Sequence, residues 1–242
     1  MRVSGLVREL ESVGMRVVIG DDFSEYRILR STLSNRPPMY PMFDIAKSYI
    51  DASNGFWICG FGPKNELIHT QAVRLLDLSG VTLGEHLDVH RHKYITPDTT
   101  PDPDLTYYSG PGVLDSITGR VCYHGDFWLQ ASGLGGIRGQ GVTGALVRTL
   151  FEVIQMNWKP DYVFALVAQP VAEKGAYLRA GYNHCEPGNW IGPDDQVTDV
   201  DFMVWMSAKD LSNALVREPQ SIRNAEPVSS LRSTLTAIEA KG

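Results

Sequence analysis

Apolar residues at Val3, Leu6, Val7, Leu10 and Val13 recur at helical spacing, which predicts an amphipathic helix over residues 2–13. The pattern then shortens: Arg16-Val17-Val18-Ile19 reads as a strand and Asp21-Asp22-Phe23-Ser24 as a helix start. Helices are predicted at 24–34 and 42–51, separated by Pro37-Pro38. Gly55–Gly60 and Glu66–Leu76 read as two strands around the turn Gly62-Pro63-Lys64-Asn65. Residues 84–118 break this order with His86, Asp88, His90 and His92 and a Pro-Asp-rich stretch from Thr96 to Asp104. A loop of that length is functional or mobile. Regular patterning resumes with a strand at 120–131, a glycine-rich turn, and a helix striped by Val142, Leu146, Leu150, Val153 and Ile154 that Trp158-Lys159-Pro160 stops. A strand at 161–167, a helix at 170–180 ended by Gly181, and strands near 182–186 and 199–206 follow. Residues 1–207 thus form one domain with 84–118 as an insertion expected to act as a partial lid over a cleft. Residues 208–242, with Pro219, Pro227 and many serines, read as an appended tail with one helix near 229–240.

The glycine turn carries the chemistry. From Gly136 it runs through Arg138, Gly139, Gln140 and Gly141 directly into the helix. Helix starts leave backbone N–H groups unpaired, and the aligned peptide dipoles make that spot electropositive. A phosphate or pyrophosphate suits it, and glycines let the anion approach the backbone. Gly139-Gln140-Gly141-Val142-Thr143-Gly144 matches the G-x-G-x-x-G of dinucleotide sites. Such a site also wants an acidic residue after the next strand, and Tyr162–Val167 leads instead into Ala168-Gln169-Pro170. No Gly-Lys-Ser or Gly-Lys-Thr occurs, so the phosphate loop of nucleotide hydrolases is absent as well.

Arg138–Val147 resembles the acyl-CoA pyrophosphate loop of the GNAT acetyltransferase superfamily, whose usual form is Q/R-x-x-G-x-G/A. Gly175-Ala176-Tyr177-Leu178-Arg179-Ala180-Gly181-Tyr182 is similar to that superfamily's later signature, a tyrosine followed shortly by Gly-Phe or Gly-Tyr. The two cover roughly residues 120–190. The resemblance implies an α/β (α+β) fold, a bent mixed sheet flanked by helices, in which strands 120–131 and 161–167 run parallel and splay apart near the loop. It implies acetyl-CoA as co-substrate, held by Arg138, Gly139, Gln140, Gly141, Val142, Thr143 and Gly144, with no metal required. The reaction implied is acyl transfer to an amine of a small molecule or peptide by direct attack. Tyr177 matches the tyrosine whose hydroxyl reaches the CoA sulfur, and a phenol titrating near 10 can protonate a forming thiolate.

Candidates for the base are His124 and Asp126, because on a regular strand Cys122, His124, Asp126, Trp128 and Gln130 share one face. An imidazole or half-buried carboxylate near neutrality suits removal of an ammonium proton. Glu85 is a further candidate on the insertion, the lid expected on the acceptor side of the cleft. His86, Asp88, His90 and His92 would share one side of an extended segment, a zinc- or iron-like pattern that a polar loop also explains. A fainter resemblance, in Asp44, Ala46–Tyr49 and Arg74-Leu75-Leu76, is to acyl-homoserine-lactone synthases, which move a longer acyl chain. A non-catalytic acyl-CoA-binding module is the remaining alternative.

Composition narrows the setting. At 242 residues and 43% hydrophobic the chain can bury a sizeable core, and a net charge of −6 argues against a nucleic-acid or anionic-membrane surface. Cys59, Cys122 and Cys185 are widely spaced, with no C-x-x-C, as free thiols of a reducing compartment would be. Neither a signal peptide nor a membrane-length apolar span is read, so a cytoplasmic protein is expected, compatible with a homodimer.

Overall fold

The computed structural model describes residues 2–34, 36–95, 102–130 and 141–216. Within them α1 (Arg2–Ser12) leads to β1 (Arg16–Gly20) and α2 (Phe23–Ser31), and the Asp22 side chain caps α2 by accepting from the Ser24 and Glu25 N–H groups. There follow β2 (Gly55–Phe61), β3 (Leu67–Leu78), α3 (Leu83–His90), β4 (Tyr107–Ser109) and β5 (Gly119–Leu129). The second half holds α4 (Val142–Asn157), β6 (Tyr162–Ala168), α5 (Gln169–Ala172), α6 (Ala176–Ala180), β7 (His184–Glu186), β8 (Asn189–Ile191), β9 (Val197–Ser207) and α7 (Ala208–Val216).

These strands form one mixed sheet in the order β1-β2-β3-β5-β6-β9-β8-β4, with β7 added onto β9. Among the described residues β5 and β6 are the one parallel pair. Helices cover both faces, as the sequence led us to expect. On one side α1, α4 and α7 bury Leu10, Leu146, Phe151 and Leu211. On the other, α2, the chain around Met42–Ile50 and α3 bury Tyr26, Phe43 and Leu83 against Trp57 and Tyr123. Every residue of β2 is buried in consequence.

Four expectations need correction. Residues 42–51 form turns rather than a helix. There Asp44 Oδ1 accepts from the Ala46 N–H and Asp51 Oδ1 from the Ser53 N–H, local bonds that compete with a helical ladder. Arg74 on β3 reaches across to donate to the carbonyls of Met42 and Tyr49. The interval 84–118 is largely built structure: Thr82 and Glu85 close a reciprocal cap at the start of α3, Leu83, Leu87, Tyr94 and Ile95 are buried, and β4 pairs with β8. Its Thr96–Pro101 stretch lies outside the described residues, as does the helix expected at 229–240. The helix expected at 170–180 is broken into α5 and α6 by Gly175, which takes φ +63°.

The tail, finally, does not begin at 208. Ser207 Oγ and the Asp210 carboxylate cap the start of α7, Leu211 and Leu215 pack into the core, and Arg148 donates to the carbonyls of Ala214 and Leu215 at its end. The domain therefore continues through at least Val216.

Candidate active site between β5 and β6

The parallel ladder of β5 and β6 spans only Val121–Tyr162, Cys122–Val163 and Tyr123–Phe164. Past that point β5 stays with β3, and β6 stays with β9 as far as Ala168 opposite Asp201. The two strands diverge, as expected for 120–131 and 161–167. A cleft of about 260 Å³ opens in the gap. Tyr123–Phe127 of β5 and Ala165–Ala168 of β6 form its edges, Thr143 of α4 and Tyr177 of α6 stand on one side, and Arg36 and Tyr40 on the other.

Of the glycine turn, Gly141 alone is among the described residues, at the α4 side of the cleft. Arg138, Gly139 and Gln140 lie outside the described residues. Gly141 is the residue before the helix, at φ +86°, a conformation that L side chains rarely adopt. Val142, Thr143 and Gly144 form the first turn, where N–H groups have no carbonyl four residues back within the helix. Gly144 has a second reason to lack a side chain, because a Cβ there would sit 3.0 Å from the Arg179 carbonyl oxygen at the end of α6. Two cations near it are committed elsewhere: Arg148 caps α7, and Arg179 donates to the Lys174 carbonyl at 2.8 Å.

His124 and Asp126 do not share a face. Between Ala72, opposite Gly125, and Thr70, opposite Trp128, β5 carries two residues against one, so a β-bulge at Asp126-Phe127 inverts the alternation. Asp126 itself has φ +50°. His124 points to the α4 side, where its Nδ1 meets the Tyr182 hydroxyl at 3.0 Å. Asp126 points to the α2 side. There its Oδ2 accepts from the Tyr26 hydroxyl at 2.5 Å and from Arg30 Nε at 2.7 Å, and its Oδ1 from Arg30 Nη2 at 3.0 Å and Arg36 Nη2 at 2.8 Å. Four charge-assisted bonds hold a left-handed backbone that costs free energy outside glycine. Burial, and then the Asp126 charge, push the Tyr26 phenol well above its ordinary range. For Arg30 burial acts downward, but Asp126 outweighs it and keeps the guanidinium above its usual value.

His124 is buried, and desolvation lowers its pKa to about 4. Its Nε2 has no hydrogen-bond partner. Buried His69 is lowered further, to about 3, again chiefly by desolvation. The sign of the linkage follows. The unfolded chain takes up protons near its ordinary imidazole pKa of about 6.5, whereas the folded chain does not. Stability contributed by the neutral forms is therefore complete above that value and is lost as pH falls toward 4. Urea unfolding should show a steadily falling midpoint between about pH 6.5 and pH 4. His124→Gln should flatten that slope, and a flat parent profile would mean that these rings are not held neutral.

Tyr177 is half-buried in α6 at the cleft wall, its hydroxyl within hydrogen-bonding reach of the Cys185 thiol. Glu85 is spent on the cap of α3, accepting from the Thr82 N–H at 2.7 Å. The His86 and His90 rings, one helical turn from each other, lie 4.6 Å apart and tilted by 53°, and Asp88 does not join them, because this segment is helical rather than extended. His86 Nε2 contacts the Tyr94 hydroxyl at 2.8 Å. Among the described residues no group of three or more His, Cys, Asp or Glu side chains is placed to hold a metal ion. Nor is any helix among them long and apolar enough to cross a membrane.

Sequence reasoning missed Tyr26, Arg30, Arg36 and Tyr182. A signal for Arg30 existed: it falls four residues after Tyr26 on the face of α2 that Phe23 also buries. An arginine on an apolar helical face needs a buried partner.

No family model matches the sequence, and no curated protein matches it. Solved structures do. An N-acetyltransferase from Staphylococcus aureus Mu50 is 9% identical at a TM-score of 0.44, with 81% of this chain and 98% of that one covered. Arabidopsis thaliana NAA60 in complex with acetyl-CoA is 10% identical at a TM-score of 0.45, covering 80% and 98%. An aminoglycoside acetyltransferase with coenzyme A and kanamycin is 14% identical at a TM-score of 0.40, covering 81% and 98%.

Proposed function

We propose that this protein is a GNAT-like acyltransferase that moves the acetyl group of acetyl-CoA to an amine by direct attack. The observation that carries the reading is the divergence of β5 and β6 beside the start of α4. It places a narrow apolar passage next to an electropositive helix terminus. A CoA thioester has that shape, with a doubly charged diphosphate followed by a thin pantetheine arm. In this reading the first turn of α4 receives the diphosphate, and Gly139 and Gln140 with Arg138 complete the loop. The arm lies in the cleft, and the backbone of the bulged stretch Gly125–Phe127 meets the thioester carbonyl.

The chemistry then needs few groups. The neutral amine attacks the carbonyl carbon, the C–S bond breaks, the departing thiolate takes a proton, and the proton that the nitrogen sheds passes through solvent to restore the proton donor. Tyr177 supplies the thiolate's proton. Holding both reactants in one cleft contributes several kcal/mol on the order of effects measured for intramolecular reactions. A covalent cysteine route has poor support. Burial raises the Cys59 and Cys122 thiols, and Cys185 is raised as well, so none is poised as a thiolate. Asp126, locked by two guanidinium groups, serves as architecture of the cleft in this scheme, and His124 as a neutral wall. Three thiols without disulfides support a cytoplasmic setting.

Two measurements test the scheme. Calorimetry should give saturable binding of acetyl-CoA; a folded protein that does not bind it ends the reading. With a turned-over amine in hand, Tyr177→Phe should lower kcat by about ten- to a thousandfold with little change in acetyl-CoA affinity. An undiminished variant would keep the enzyme and remove the role given to Tyr177. Binding without turnover over a broad amine panel would favour the non-catalytic module, and preference for octanoyl-CoA the longer-chain alternative.

A further inference from the structure

The charge balance of the cleft identifies the kind of acceptor, given the transferase reading above. Among the described residues Arg36 and Asp126 are the charged side chains that line it, His124 being neutral. Arg30 stands behind Asp126 and is itself buried. Two guanidinium groups against one carboxylate leave one positive charge unbalanced at this end of the cleft. Asp126 has no capacity left for a substrate cation, because the Tyr26 hydroxyl and both arginines already occupy its two oxygens.

The surplus lies on Arg36. This side chain gives Asp126 a single bond through Nη2, and its Nε is buried with no hydrogen-bond partner. Its guanidinium carbon lies 5.8 Å from the centre of the Trp128 ring, within the range of a cation–π contact. Arg30 Nη2 also holds the Pro37 carbonyl, so the chain that carries Arg36 is tied to the bulge. Asp201, opposite Ala168 at the end of β6, is engaged by Trp190 Nε1, from which its Oδ2 accepts at 2.9 Å.

A guanidinium that lines the cleft and gives its counter-ion only one bond is suited to a planar anion. The diphosphate of CoA is not that anion, since α4 lies on the opposite face of the sheet from α2 and Arg36. We infer that Arg36 binds a carboxylate of the acceptor, so that the acceptor is an amino acid, an amine bearing its own carboxylate, rather than a polycation. A polyamine or aminoglycoside would bring several positive charges to a cleft wall that already has one in excess.

The test compares acids with their amides. Protein saturated with acetyl-CoA is titrated calorimetrically, and assayed for CoA release, with the free amino acids, the corresponding amino-acid amides, spermidine and kanamycin. Free amino acids should bind and be acetylated, and each amide should lose about 10- to 100-fold in kcat/KM. Arg36→Gln should raise KM for the acid by a similar factor and leave KM for its amide and the acetyl-CoA Kd unchanged. Arg36→Lys, which keeps the charge but not the fork, should fall between.

Equal use of acid and amide overturns the inference, as does preference for spermidine or kanamycin, or silence toward every amino acid. Equal loss of acetyl-CoA affinity in both Arg36 variants would place Arg36 with the donor and overturn it as well. Failure of the wild-type protein to bind acetyl-CoA is a separate result, read before any acceptor is added, and counts against the transferase reading itself.

Discussion

Asp126→Ala is expected to destabilise the protein by about 3–5 kcal/mol, the usual consequence of stranding a buried charge. Against a total of about 5–15 kcal/mol for a folded domain, that is a large fraction. The reason lies in Arg30, only 4% exposed, which would keep its charge and lose its counter-ion. Asp126→Asn should cost nearly as much, because an amide keeps the size and removes the charge. Tyr26→Phe, which deletes one hydroxyl donor, should cost only about 1 kcal/mol.

Asp126→Gly separates two contributions. Glycine relieves the left-handed backbone at φ +50° but loses the ion pairs, so it should remain destabilising. Urea denaturation of the four variants measures all of this. A midpoint shift for Asp126→Ala worth less than about 1 kcal/mol would show that the ion pairs do not hold the bulge.

Thr143→Glu should weaken acetyl-CoA binding by at least about tenfold while leaving the fold intact or slightly more stable. The two effects part because they arise from different charges. A carboxylate in the first turn of a helix is favourable to the helix by about 0.3–1 kcal/mol. The same carboxylate repels a diphosphate seated on the N–H groups of that turn. Thr143 is half-buried at the cleft, so this repulsion is less screened than at an open surface. Gly141→Leu should abolish binding by a different route, since a side chain there meets both φ +86° and the anion. Calorimetry with acetyl-CoA on variants that melt normally is the measurement. Unchanged affinity in Thr143→Glu would remove the diphosphate from the start of α4.

Local periodicity carried the sequence reading furthest. The spacing of Val3, Leu6 and Leu10 gave α1, and the stripe from Val142 to Ile154 gave α4, because a helical face repeats regardless of what it packs on. Alternation and turn residues likewise gave β2, β3, β5 and β6, and the glycines before α4 marked its start. The parallel, diverging relation of β5 and β6 was legible only through resemblance to a family, since strand pairing leaves no periodic trace.

The face of Asp126 was not legible. One extra residue in β5 reverses every side chain beyond it, and that residue is held by Tyr26 and Arg30, about one hundred positions earlier in the chain. Residues 42–51 failed as a helix for the same kind of reason, with Arg74 of β3 taking the Met42 carbonyl that a helix would have used. So the sequence by itself determined the elements with a clear local pattern, α1, α4, β2, β3, β5 and β6 among them, and that glycine precedes α4. The tertiary structure decided which side chains face the cleft and what charge it presents. Periodicity is a property of neighbours along the chain, whereas bulges and buried ion pairs are set by contacts between segments far apart in it.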